Sequence, residues 1–236
     1  SYGIHDEKEL SFAALLRAVA SIEGVERIRF TTSHPKDMSD ELIACFADLD
    51  KLCRHIHLPV QCGSNPILTS MNRGYSREEY LGLVEKLRRA CPHIRFSTDI
   101  IVGFPGETED DFEQTLDLVK QVRYADAFTF LYSPRPGTEA AKMDEALSPE
   151  VKQARFDRLI ELQQNISATF WHDDLGRILP VLVEGESKQG DGQYFGRTTW
   201  NRIVNFSGSP DLVGRTVLLR IVKNYRNSQL GEVVED

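Results

Sequence analysis

Ile94-Arg-Phe-Ser-Thr-Asp-Ile-Ile-Val-Gly-Phe-Pro-Gly-Glu-Thr-Glu-Asp-Asp-Phe112 is the stretch on which the fold turns. Its first part, residues 94 to 102, reads as a long strand in which Ile94, Phe96, Ile100, Ile101 and Val102 supply apolar side chains to both faces, as in a strand of a parallel sheet. Gly103 to Glu107 is a Gly/Pro turn. Thr108-Glu-Asp-Asp111 then opens a helix: the threonine hydroxyl can accept a first-turn amide, and the acids sit at the positive end of the helix dipole, the cap being worth ~1 kcal/mol. Strand, glycine turn and capped helix make one βα unit, whose neighbours in a sheet are more of the same.

The units on either side follow suit. A helix is expected at 6 to 20, a strand at 27 to 32, a helix at 39 to 52, a strand at 55 to 60, a helix opened by the capping box Ser76-Arg-Glu-Glu79, and a strand at 127 to 131. Four parallel strands cannot close a barrel of the usual eight, so either the sheet is open or strands are missing from this chain. Ser148-Pro149-Glu150 has the cap, N1 proline and first-turn acid of a long helix running to about Trp171. Beyond Gly176 the texture changes to short β-branched runs cut by glycine, at 178 to 183, 194 to 198, 203 to 206 and 217 to 222, which suggests a small antiparallel barrel of OB-like type. The fold class is therefore α/β: a partial (βα) barrel over 1–147, a connecting helix over 148–174, and a β domain over 175–236.

No apolar run approaches the roughly 20 residues a membrane helix needs. Cys45, Cys53, Cys62 and Cys91 form no C-x-x-C pair and read as single buried thiols. The net charge of -8 argues against a nucleic-acid protein as a whole, yet residues 197 to 226 hold Arg197, Arg202, Arg215, Arg220, Lys223 and Arg226 against Asp211 alone. That segment is a basic island on an acidic chain.

Polar and glycine residues gather at the C-terminal ends of the expected strands, where parallel α/β folds place their sites. They are Thr31-Thr-Ser33-His34-Pro35, Pro59-Val-Gln61-Cys-Gly63-Ser64, Asp99 with Gly103 to Thr108, and Tyr132-Ser133-Pro-Arg135-Pro-Gly137. Any one of these loops reads equally well as an ordinary turn; four converging on one mouth describe a ligand cleft. Gln61 and Asp99 interrupt apolar strands and want polar partners. Gly103 and Gly106 would let the backbone approach a flat ring.

The strings HLPVQCGSN (57–65), MNRGYSREEY (71–80), STDIIVGFPGETEDDF (97–112) and FTFLYSPRPGTEAAKM (128–143) closely resemble the radical-SAM core of the methylthiotransferases. Ser1-Tyr2-Gly3 resembles the end of that family's second core strand. GRTTWNRIVNF (196–206), followed by Asp211-Leu-Val-Gly214, is similar to its C-terminal TRAM domain, and to the MiaB type in particular, which acts on isopentenylated adenosine beside the tRNA anticodon. The match departs at Thr199-Trp200, and Trp200 reads either as core or as a platform for a base.

The resemblance implies S-adenosylmethionine (SAM) as cofactor and two 4Fe-4S clusters in the parent enzyme. The four cysteines match neither cluster, so the ligands, the first core strands and an N-terminal domain are expected outside this chain. The expected SAM contacts are Gln61, Asp99, Ile101 and Gly103 for ribose and adenine, with Ser33 and Arg73 at the polar end. Arg73 reads equally as a surface helix residue, and His34 as a proton donor or a loop hydrogen bond. No catalytic residue and no metal ligand is assigned within the chain. Arg197, Asn201, Arg202, Lys223 and Arg226 are the expected tRNA contacts, the partner being the anticodon stem-loop. A reductant such as flavodoxin or ferredoxin, a cytoplasmic location, a monomer and no membrane complete the expectation. Two alternatives stay open: a sister methylthiotransferase for threonylcarbamoyl-adenosine tRNA or a ribosomal protein, and a non-catalytic RNA-binding fragment.

Overall fold

A computed structural model of the chain describes residues 10–32, 34–143, 147–188, 190 and 192–234. Ser33 and the start of the first expected helix lie outside the described residues. The chain divides into two units, residues 1–167 and 168–236.

The first unit runs α1 (Phe12–Ala20), α2 (Asp40–Asp48), β1 (His55–His57), α3 (Asn65–Ser70), α4 (Arg77–Ala90), β2 (Arg95–Val102), α5 (Glu109–Val122), β3 (Asp126–Leu131) and most of α6 (Pro149–Asp174). The strands form a parallel sheet in the order β1-β2-β3. Two of the three sequence-marked helix starts carry full capping boxes, Ser76 with Glu79 and Thr108 with Asp111. Phe96, Thr98, Ile100 and Val102 are buried on the face of β2 that also takes Ile56. Tyr80 and Val84 of α4 and Phe112 and Val119 of α5 are buried as well, each such apolar side chain contributing about 1.5–3 kcal/mol. The Tyr80 hydroxyl donates to the Leu58 carbonyl at 2.8 Å and accepts from Tyr124 at 2.9 Å, so neither buried phenol is left unsatisfied.

Two expected strands are shorter than their apolar patterns. The segment 27–32 contributes a single parallel rung, Ile28 to Leu52, because the chain opposite is extended for only a few residues after α2. The segment 55–60 stops pairing regularly at His57 because Pro59 has no N–H and the Val60 amide bonds to the Thr98 hydroxyl instead of a backbone carbonyl. Pairing resumes at Gln61, whose amide donates to the Asp99 carbonyl at 2.9 Å. The four cysteines are buried and free.

His55 makes the sheet sensitive to acid. Burial, together with Arg29, His57 and Arg95, pushes its pKa from 6.5 down to about 4, and its Nδ1 has no hydrogen-bond partner. A buried base with a depressed folded pKa contributes stability that is full above about pH 6.5 and is lost as the pH falls towards 4. Urea titrations of the first unit should show stability dropping by up to about 1.4 kcal/mol per pH unit across that window, and His55→Leu should flatten the dependence.

The second unit contains the end of α6 and β4 (Ile178–Glu186), β5 (Gln193–Thr198), β6 (Ile203–Ser207), β7 (Thr216–Asn224) and β8 (Gln229–Val233). They close a barrel in the order β4-β5-β6-β8-β7. The pairs are antiparallel except β6 with β8, because the fifth strand enters between the oppositely running β6 and β7 and so must run with one of them; the barrel is OB-like, as expected. Alternate residues point inward to a core of Leu179, Val181, Val183, Tyr194, Trp200, Val204, Phe206, Leu219 and Ile221. Trp200 is therefore a core residue and not an exposed platform.

Candidate functional site

In the first unit, the register of the sheet puts His57 beside Ser97, Asp99 beside Phe128, and Ile101 beside Phe130, all on the face opposite Phe96 and Ile100. That face is closed at its N-terminal end, where His55 and Arg95 are each 7% exposed. It opens toward the C-terminal ends, where the Asp99 side chain is 30% exposed and Phe128 and Phe130 are 58% and 52% exposed. The His57 ring links the two zones, with Nδ1 at 3.0 Å from the Ser97 hydroxyl and Nε2 at 3.4 Å from the Asp99 carboxylate.

The loops at that end are held together from behind. Gln61 adopts φ of 70°, a left-handed conformation that costs a non-glycine residue about 1–3 kcal/mol and that persists only when neighbours enforce it. Here they do: the Asp99 carbonyl and the Ile101 amide bracket its backbone, and the Tyr75 hydroxyl donates to the Val60 carbonyl at 2.9 Å just before it. Downstream, the Gly63 amide donates to the Thr115 hydroxyl at 3.0 Å, and Ser64 donates to Asp111 of the α5 cap. The second loop turns at Gly103, φ 76°, whose amide faces the Glu107 carboxylate with both oxygens at 3.2 Å. Arg155 of α6 closes this arrangement, donating to Glu107 at 2.7 Å and to Glu109 at 3.0 Å. Burial holds the Glu107 carboxyl above the usual carboxylate range, outweighing the lowering by Arg155.

Of the expected SAM contacts, Gln61, Asp99 and Ile101 come together on adjacent chain segments. Gly103 follows them on the next turn, but a Cβ there would lie 2.8 Å from Cγ of Lys152, so the group lying against this glycine is the Lys152 stem and not open space for a ring. Arg73 sits in the loop before α4, two residues from Tyr75, with its Nε buried and without a hydrogen-bond partner, as is the Tyr132 hydroxyl after β3. Unpaired buried polar atoms at this end fit a polar ligand such as a nucleoside. His34 makes a loop bond, its Nδ1 accepting from the Lys36 amide at 3.2 Å. Among the described residues no group of three His, Cys, Asp or Glu side chains could hold a metal ion, so a cluster does not fit this part of the molecule.

The basic island of the second unit splits into two kinds of residue. Lys223 and Arg226 are exposed. Arg197 is tied down, with Nε 3.2 Å from Glu184 and Nη1 3.1 Å from the Asn201 carbonyl; Asn201 itself supplies the positive φ of 68° that the β5–β6 turn requires. Arg202 departs from expectation. It is 7% exposed, its guanidinium lies 4.1 Å over the Trp171 ring, and it donates to the carbonyls of Tyr225 at 2.9 Å and Ser228 at 3.2 Å. Its donors are turned inward, so it joins the β5–β6 turn to the β7–β8 turn and does not present its charge to a phosphate.

Sequence reasoning passed over His57, Lys152 and Arg155, and placed Glu107 in the site loop without giving it a partner. The histidine was the legible one, since it lies on the same strand face as its neighbour's acid; Arg155 is 48 positions from Glu107, and no local pattern links them.

A parallel βα sheet with its polar end at the strand C-termini, followed by a closed five-stranded barrel, defines the class. The Radical SAM superfamily model matches residues 4–119 and the TRAM domain model residues 174–234. The chain thus carries a radical SAM region followed by a TRAM region. It is 60% identical over 234 residues to the tRNA-2-methylthio-N(6)-dimethylallyladenosine synthase of Syntrophotalea carbinolica, covering 99% of this chain and 53% of that enzyme. The enzyme of the same name from Trichlorobacter lovleyi is 56% identical, with the same coverage of 99% and 53%. The chain thus spans about half the length of the curated relatives it matches. Among solved structures, coproporphyrinogen III oxidase (HemN) from Escherichia coli, a radical SAM enzyme, aligns with a TM-score of 0.53 at 15% identity over 80% of this chain and 52% of that one. At that identity the likeness supports the fold alone. No helix among the described residues is long and apolar enough to cross a membrane.

Proposed function

We propose that this chain forms part of a radical-SAM tRNA methylthiotransferase that adds a methylthio group to isopentenylated adenosine next to the anticodon. The observation that carries this reading is the 60% identity, across nearly the whole chain, to an enzyme named for that product. When bound at a reduced 4Fe-4S cluster, SAM supplies the radical chemistry and the methyl group. The residues of this chain bind and orient. Gln61 and Asp99 offer hydrogen bonds to a ribose, Ile101 an apolar wall for adenine, Gly103 the turn that ends the strand, and Arg73, with Ser33, a polar contact for the amino acid end. Arg155 and Glu107 hold the Gly103 turn in place. Arg197, Asn201, Lys223 and Arg226 face the anticodon stem-loop. Both 4Fe-4S clusters draw their ligands from other parts of the enzyme. The same reading implies a cytoplasmic monomer with flavodoxin or ferredoxin as reductant.

The test uses the full-length, cluster-loaded enzyme with SAM, a reductant and one of three substrates: isopentenylated tRNA, threonylcarbamoylated tRNA, or ribosomal protein. Mass spectrometry should find the methylthio group on the first. Asp99→Ala should weaken SAM binding about tenfold or more, as expected for loss of a hydrogen bond from a charged acceptor. Product on either of the other substrates alone would overturn the assignment.

A further inference from the structure

The β7–β8 turn carries a combination that the tRNA-facing arginines do not account for. Tyr225 is 44% exposed at the tip of this hairpin, the ammonium of Lys223 lies 5.1 Å from its ring centroid, and Arg226 follows it into solvent. From residue 212 to 231 the sequence contains Arg215, Arg220, Lys223 and Arg226 and no acid; Glu232 pairs opposite Arg220 towards the far end of the hairpin, so the unopposed positive charge lies at the tip. A half-exposed aromatic ring set among cations is what a polyanion with flat bases complements.

The tip is also held rigid. Its turn closes through the Tyr225 amide on the Ser228 carbonyl at 2.8 Å. At its root the Asn224 side chain donates to the Trp171 carbonyl at 2.7 Å and accepts from Gln229 at 2.9 Å. Beneath it Arg202, stacked on the Trp171 ring, donates to the carbonyls of Tyr225 and Ser228. A ring carried on a turn whose backbone is fixed in this way loses less freedom when a ligand stacks on it, which is how preorganisation raises affinity.

We propose that Tyr225 is a stacking platform for an unpaired base of single-stranded RNA, with Lys223 and Arg226 on the flanking phosphates. The inference rests on the reading of this chain as a tRNA-binding one and adds to it a residue, a mode of contact and a strand state. It also separates two contributions that respond differently to salt. Phosphate contacts release counterions and set the salt dependence of binding; stacking does not.

The experiment measures binding of a fluorescein-labelled, unmodified anticodon stem-loop RNA to the 236-residue chain by anisotropy between 50 and 200 mM KCl, about a fourfold span in salt chosen to resolve the slope. Tyr225→Ala should weaken binding about 5- to 150-fold at every salt concentration with an unchanged slope, the span expected for loss of one stacked base. Tyr225→Phe, which keeps the ring, should bind as the parent chain does. Lys223→Ala with Arg226→Ala should flatten the log–log slope by about 1.4, two single-strand phosphates' worth. Parental affinity in Tyr225→Ala overturns the platform and leaves the tRNA reading standing. A loss in Tyr225→Ala accompanied by the flattened slope of the charge variant also overturns it, since the tip is then an electrostatic contact only. No salt-dependent binding by the parent chain overturns the platform and the tRNA reading together.

Discussion

Replacing Arg155 by Met should destabilise the first unit by about 3–5 kcal/mol, the cost typical of removing one partner from a buried ion pair. The guanidinium is nearly inaccessible, with 6% of its side chain exposed against 1% for Glu107, so little water can take its place. It also donates to the Glu107 carbonyl at 3.2 Å and lies 5.6 Å from the Phe112 ring centroid. Without it, burial acts on Glu107 against little more than the Gly103 amide and raises the carboxyl pKa further above the usual range. A raised folded pKa stabilises the fold below the unfolded value and ceases to do so as the pH rises through the folded one. The deficit of Arg155→Met should therefore be small near pH 4 and largest above neutrality. Urea unfolding at several pH values reads this directly, and adding Glu107→Gln should restore part of the loss at pH 8 while leaving pH 4 nearly unchanged. A pH-independent deficit would mean that Arg155 acts through packing alone. The consequence extends to function, because the Glu107 carboxylate faces the Gly103 amide at the end of the strand that carries Asp99 and Ile101.

Arg202→Ala should destabilise the barrel by about 2–4 kcal/mol, combining a desolvated cation–π contact with hydrogen bonds from a charged donor. Arg202→Lys should recover little, since an ammonium cannot both cover the indole plane and reach two carbonyls. Thermal unfolding followed by Trp fluorescence measures it. Any weakening of RNA binding in this variant should vanish once the melted fraction is subtracted, whereas weakening in Lys223→Ala should persist in fully folded protein. This distinction sets Arg202 apart from Arg197, Lys223 and Arg226 among the expected tRNA contacts.

How far the sequence carried the reading depends on the range of the signal. Local chemistry was legible: Thr108 with Asp111 and Ser76 with Glu79 mark helix starts within four residues, and both form as read. The alternation of Leu179, Val181 and Val183 likewise gives the inward face of β4. What failed was non-local. The apolar run 27–32 has strand character but no long partner. The strand Gln229–Val233 escaped notice because Gly231 breaks its apolar pattern; the barrel requires that glycine, since a Cβ there would stand 3.0 Å from both Leu219 and Val204 side chains. At the candidate site, the polar residues at strand ends were found from position alone, while their supports, His57 and the Glu107–Arg155 pair, depend on how distant segments meet. Arg202 carries the same letter as its exposed neighbours, and burial, which sequence does not display, separates it from them.

In the proposed function the adenosyl group of SAM rests at the C-terminal ends of β1 and β2, beside the Gln61 turn and the Gly103 turn. Hydrogen exchange of the full-length, cluster-loaded enzyme with and without SAM tests it most directly. The account predicts slowed exchange at residues 61–63 and 101–107 and no change at 225–228. Unaltered exchange at both turns, under conditions where SAM is bound, would contradict it.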